Sequence, residues 1–279
     1  MKIGVICDCF QLPLKESIEK AGEMGFSGIQ IYATTGEFSP EVLTKEKKAE
    51  LKELIREKGL AVSALCGDMG GHGFEIEEDN LERIEKTCRI IDLAVEFGTK
   101  VVTTHIGVIP SDKKEPRYEV MKNALSACGK YAKEKGVTLA IETGPEMAST
   151  LLSFVEDVGD GVGVNLDPAN FVMVTDQDPA EAVRMLKGHI VHTHAKDGVM
   201  LKKTDPKIIY DHFASGGIEV LNVADFFLET PLGEGNVDFD AYIKALEEIG
   251  YDGFFTIERE TGVDPGADIA LAKKFLERF

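Results

Sequence analysis

At 279 residues and 43% apolar content, the chain suits one large α/β barrel, which runs at about 250 residues. A chain of this length buries roughly three quarters of the surface its unfolded form exposes, so polar groups are tolerated inside. Its 49 acidic and 31 basic residues give a formal charge of −18, which repels nucleic-acid phosphates and anionic membranes and favours solubility.

The N-terminus, "MKIGVICDCF", enters a strand without a cleavable signal pattern, and no apolar run reaches membrane-spanning length. A cytoplasmic protein is expected. Short β-branched runs then recur at 2–7, 28–33, 61–67, 100–107, 137–144, 162–170, 190–197 and 253–260, eight in all. Cys7 and Cys9 would share one face of the first. The five cysteines, at 7, 9, 66, 88 and 128, form neither a disulfide framework nor a zinc knuckle.

Between the runs lies helical spacing. Leu81, Ile84, Cys88, Ile91 and Val95 make one stripe across 77–98, and Met121, Ala124, Leu125, Cys128, Tyr131 and Ala132 another across 117–135. Gly25, Gly59, Gly98, Gly136, Gly159, Gly188 and Gly250 each stand where a helix should close before the next strand. Asp178-Pro179 and Asp264-Pro265 supply caps and first-turn prolines. Eight strands alternating with helices predict a single (β/α)₈ TIM barrel over 1–279.

Two connections break the rhythm. "GDMGGHGF" (67–74) packs glycines around His72, and roughly forty residues, 198–238, follow the seventh strand. Both follow strands and so fall on the C-terminal face, where barrel enzymes keep their chemistry. The longer one is expected to form a lid.

Residues two apart on a strand share a face. On the last four strands this rule aims Glu142, Asp167, His194 and Glu258 at the barrel axis, near the same end. Three ionised carboxylates crowded there would raise one another's pKa and strain the fold. A divalent cation resolves the conflict, and a set of one imidazole and three carboxylates suits Mn²⁺ first, with Mg²⁺, Co²⁺ or Zn²⁺ as alternatives. His192, two residues deeper, orients or packs beneath His194. His189 falls at a turn at the other end of the barrel.

The motifs "LAIETG" (139–144), "NLDPAN" (165–170), "VHTHAKDG" (191–198), "PLGEGNVDF" (231–239) and "GYDGFFTIERE" (250–260) resemble, in that order, the xylose isomerase-like barrel superfamily, specifically its sugar phosphate isomerase/epimerase group. The resemblance implies that Glu142, Asp167, His194 and Glu258 bind one metal and that the two glutamates also act as acid and base. The sequence departs from the ketose 3-epimerases at Asn170, where they carry histidine, and at Met200, where they carry arginine. Apurinic endonucleases of the superfamily also use a histidine at the position of Asn170. That departure and the charge of −18 count against DNA repair.

The chemistry inferred is proton removal beside a carbonyl through a metal-stabilised enediolate, with Glu142 and Glu258 as the proton-transfer groups. Return of the proton gives epimerisation or isomerisation. Loss of a β-substituent instead gives a lyase, for example on a 3-keto-glycoside. A non-catalytic metal- and sugar-binding subunit is the rival of another class. His105, Glu146, Lys196, His72 and Asn170 are read as substrate contacts; for Lys196 the competing reading is an ion pair with Asp197 or Glu260. The partner expected is a small sugar or sugar derivative, with homo-oligomerisation left open.

Overall fold

The protein, analysed as a computed structural model, is described over residues 1–214 and 222–279. Eight parallel strands close a barrel: β1 (Lys2–Ile6), β2 (Gly28–Tyr32), β3 (Ala61–Cys66), β4 (Val101–Thr104), β5 (Thr138–Glu142), β6 (Val162–Leu166), β7 (Ile190–Ala195) and, after an insert, β10 (Phe254–Ile257). β10 pairs with both β7 and β1, which completes the circle. The helices on the outside are α1 (Leu14–Glu23), α2 (Lys45–Glu57), α3 (Glu77–Phe97), α4 (Pro116–Lys135), α5 (Ala148–Val158), α7 (Pro179–Met185), α9 (Phe239–Glu248) and α10 (Pro265–Leu276). This is the (β/α)₈ barrel that the alternation of runs implied.

Helix ends follow the expected chemistry. The seven glycines expected to close helices all have positive φ. Gly98 and Gly136, at 76° and 71°, end the two longest helices and turn their N–H groups back to the last turn. Asp178, Asp238 and Asp264 each accept a backbone N–H at a helix start, a cap that contributes about 1 kcal/mol.

Three details differ from the sequence reading. The first strand stops at Ile6, and Cys7–Phe10 form a tight 3₁₀ turn, so Cys7 and Cys9 are buried in a turn instead of along a strand. The stripe on α3 holds only in its middle: Ile84 and Ile91 pack on the core, whereas Leu81 and Val95 are 72% and 47% exposed and Thr87, Ile90, Ala94 and Phe97 complete the inner face. Polar residues occupy some of those inner positions, which an all-apolar template passes over. Asn80, for instance, is buried because its amide donates to the Phe74 carbonyl. The sixth run ends at Leu166, since Asp167 caps the one-turn helix α6 (Pro168–Asn170), which continues into a π-helical turn at Phe171–Thr175.

The long connection is largely structured, although its residues 215–221 lie outside those described. It contains strands β8 (Asp197–Met200) and β9 (Phe227–Thr230), paired antiparallel, and helix α8 (Pro206–Ala214). Asp197 anchors it: its carboxylate accepts the N–H groups of Gly198, Gly233, Gly235 and Val237 at 2.8–3.1 Å. A side chain at Gly235 would collide with that carboxylate, so the glycine is required by close approach. A second tie joins Glu229 of β9 to Arg259 (2.7 Å), which also holds Asp268 (2.9 Å). Met173, Val174 and Ile209 pack into a small apolar cluster of their own between the insert and the barrel.

Candidate active site

Each of the four strand-end residues reaches the axis because of where its strand stops. Glu142 ends β5, Asp167 follows β6, His194 lies near the end of β7 and Glu258 follows β10. All four are buried, and one ligand atom from each lies within 4.8 Å of the others. His194 Nδ1 is 2.8 Å from Glu258 Oε2, 3.5 Å from Glu142 Oε1 and 3.6 Å from Asp167 Oδ2.

Beneath this cage lies a layer of polar side chains that fixes its orientation. His192 Nδ1 faces Asn165 Oδ1 at 2.8 Å, and Thr256 Oγ1 faces His192 Nε2 at 3.0 Å. Burial and the neighbouring His194 hold the His192 pKa well down, so this ring is neutral and donates from Nδ1. Its bond turns the Asn165 amide towards Glu142 Oε2, 3.1 Å away. Gln30 donates to Thr103 Oγ1 and thereby presents its own oxygen to His194 Nε2 at 3.2 Å. His194 Nε2 thus meets two groups at 3.2 Å, the Gln30 oxygen and the Asn165 amide nitrogen, which together fix the ring so that Nδ1 faces the carboxylates. His192 therefore acts through Asn165, the support expected of it; His189 is half-buried before β7.

The fit of this cage to a cation can be judged from its own atoms. Asp167 Oδ2, His194 Nδ1 and Glu258 Oε2 are buried and make no hydrogen bond, although they face one another. Leaving buried charged acceptors unsatisfied costs more than about 1–3 kcal/mol each. Burial disfavours the charged form of His194, yet the carboxylates of Glu258 and Glu142 outweigh it and raise its pKa. The cage demands positive charge at its centre, and its hard, mostly oxygen donor set fits a divalent ion.

Each glutamate has a basic neighbour on its outer side. His105 Nε2 is 3.7 Å from Glu142 Oε1, and its Nδ1 is 3.3 Å from Asp68 Oδ2. Against burial, the charge of Glu142 and the bond to Asp68 lift the His105 imidazole to about 10. On the other flank Lys196 Nζ lies 3.4 Å from Glu258 Oε1 and 2.5 Å from Glu260 Oε2. Burial opposes the charge of Lys196, but Glu258 and Glu260 keep it protonated. Of its two competing ion-pair partners, Glu260 is the one engaged; the Asp197 carboxylate is committed to the insert.

The cage opens into a cavity of about 600 Å³ at the C-terminal ends of the strands. His105, Lys196 and Asn170 line it. The Asn170 amide is already committed, donating to the Thr143 carbonyl at 2.8 Å. Glu146 and His72 are not brought to the cavity. Glu146 is buried with Oε2 unpartnered, and burial pushes its carboxyl up to about 8. His72 is half-buried in its glycine loop, whose Gly70 and Gly71 do line the wall. Sequence reasoning missed Gln30, Asp68 and Glu229. Gln30 was available, as a polar residue within an otherwise apolar strand, and Asp68 as an acid just past a strand end. Glu229 had no such signal, because its place depends on the β8–β9 pairing.

Residues 18–279 match a family model described as a xylose isomerase-like TIM barrel. An uncharacterised protein of Methanocaldococcus jannaschii, MJ1311, is 26% identical over 99% of this chain and 90% of its own length. The L-ribulose-5-phosphate 3-epimerase UlaE of Escherichia coli K12 is 24% identical over 94% of this chain and 88% of its own length. A crystal structure of a xylose isomerase domain protein from Planctomyces limnophilus superposes with a TM-score of 0.79 at 26% identity, over 99% of this chain and 95% of the other.

Proposed function

The chain belongs to the xylose isomerase-like TIM barrel family, and from that premise we propose that it is a divalent-metal-dependent sugar isomerase or epimerase. The observation that carries this reading is the convergence of three buried, unpartnered donor atoms, from Asp167, His194 and Glu258, with Glu142 completing the set. Glu142, Asp167, His194 and Glu258 would hold the ion, with Mn²⁺ first by donor hardness. When bound, it would act as a Lewis acid on a substrate carbonyl and so favour an enediolate.

The chain's own residues do the proton transfer. Glu142 and Glu258 stand on the two outer strands of the four that build the cage, so they bracket the centre from opposite sides. One takes the proton from the carbon beside the carbonyl, and the other returns it. His105 and Lys196 lie behind them and hold each carboxylate in place. A base on each flank suits return to the opposite face, hence epimerisation, the reaction for which the E. coli relative is named. Asn170 and Met200 set this chain apart from the ketose 3-epimerases it resembles, so its stereocentre or substrate differs from theirs. The same first step followed by loss of a β-substituent would make a lyase on a keto-glycoside. The cavity, much larger than one sugar ring needs, favours keeping that second reading.

The test is solvent exchange. In D₂O the wild type is expected to wash deuterium into the carbon beside the carbonyl of its sugar, with or without net product. Glu258→Gln is expected to slow exchange by roughly 10² to 10⁴. Equal exchange rates would remove Glu258 as the base. No exchange with any ketose, ketose phosphate or keto-glycoside would leave a metal- and sugar-binding subunit in place of the enzyme.

A further inference from the structure

We propose that the outer half of the cavity is a subsite for an apolar, ring-sized substituent, and that the substrate is an uncharged sugar derivative bearing one. The proposal rests on the cage being a sugar site and names what the sugar carries.

The cavity has two unlike ends. Its floor is the ionised cage, whereas its outer wall is made by Met173, Val174, Ile209, Phe213, Phe227 and Leu228. Four of these six come from the insert. Phe213 and Leu228 are 56% and 51% exposed while lining the cavity, so apolar surface is held open to solvent where a ligand would cover it. At about 600 Å³ the space lies mid-range for pockets of roughly 300–1,000 Å³ that enclose drug-sized ligands. Met173, Val174 and Ile209 are already buried in their own cluster, but a bare sugar on the cage would leave Phe213 and Leu228 wet.

The charges argue separately against a phosphate. The described lining residues include no arginine, and their basic members are His105, His194 and Lys196. Each is already matched. His194 belongs to the cage, His105 stands between Asp68 and Glu142, and Lys196 lies within 3.9 Å of Glu258, Glu260 and Glu229. Seven acidic side chains share the lining and are themselves matched, Glu75, Asp211 and Glu229 by Arg117, Lys207 and Arg259, so the described lining has no cation left over for a phosphate dianion. The glycine loop offers little relief, because the Gly70 N–H is given to Asp68. Residues 215–221, "SGGIEVL", contain no basic side chain.

Calorimetric titration of the Mn²⁺-loaded full chain tests this with phenyl β-D-glucoside against methyl β-D-glucoside, and with glucose 6-phosphate against glucose. The phenyl glucoside is expected to bind about tenfold or more tightly than the methyl one, the gain from burying an aromatic ring. The phosphate should bind no better than its parent sugar. Phe213→Ser/Leu228→Ser, at half-exposed positions outside the buried core, should bring the phenyl-to-methyl ratio near one without changing metal content. Equal affinities, a preference that survives in this variant, failure of the phenyl glucoside to bind at millimolar concentration, or a clear gain from phosphate each overturns the subsite. Solvent exchange on free ketoses without aryl preference sinks the subsite alone; aryl preference without exchange on any substrate sinks the proposed reaction alone.

Discussion

The two ends of the cavity are built by opposite means. The cage end is made by strand termini, with Asn165, His192, Gln30 and Thr256 locking its side chains from below through buried hydrogen bonds. The outer end is made by an insert, held on by two polar anchors and a small apolar cluster. The barrel cannot lose a strand end without losing its closure. The insert can change its lining and leave the strands untouched. Chemistry on the rigid part and selectivity on the replaceable part is the division this difference points to.

Separating the two ends by mutation is the strongest way to break that comparison. Asp197→Ala strips the acceptor from four backbone N–H groups, three of them in the segment returning to α9. A loss of at least about 3 kcal/mol is expected, since each unsatisfied buried donor costs about 1–3 kcal/mol. It should be concentrated in the insert. Limited proteolysis should cut within 198–238 while metal content stays at the wild-type level. Global unfolding with loss of metal would show that the two ends are one cooperative unit.

A smaller effect sharpens the picture on the barrel side. Glu146 has its carboxyl pushed up to about 8 by burial, from 4.5 when exposed. Between those values the folded protein keeps a proton that the unfolded chain has released, so this group lowers stability as pH rises from about 4.5 to 8. Glu146→Gln should therefore be more heat-stable than the wild type at pH 9, by about 1–3 kcal/mol, with the difference fading towards pH 4. A thermal melt series across pH reads this directly. A loss of stability at pH 9 would mean that the carboxylate is paired.

The cage was legible in the sequence because two simple periods fix it. Alternation along a strand selects the inward face, and the end of each apolar run marks the mouth, so Glu142, Asp167, His194 and Glu258 follow without knowledge of any contact. The insert was legible only as a length. β8 and β9 have four residues each and find each other across about thirty residues of chain, a pairing that no local pattern announces. The role of Asp197 hangs on that pairing, and with it the aim of Glu229. On α3 the period was right and the stripe was off only at its two ends, because Asn80 and Thr87 take inner places that an apolar stripe passes over. Glu146 and His72 were read as substrate contacts from the loops that carry them past strand ends, and neither is among the residues that line the cavity.

The central claim is that four strand-end side chains form one cage for a single divalent ion, and metal content tests it most directly. Elemental analysis of the full chain, loaded with Mn²⁺ and dialysed, is expected to give about one ion per chain for the wild type and next to none for His194→Ala, with both proteins folded by circular dichroism. A wild type that holds no ion after loading, or a His194→Ala variant that holds as much as the wild type, would contradict it.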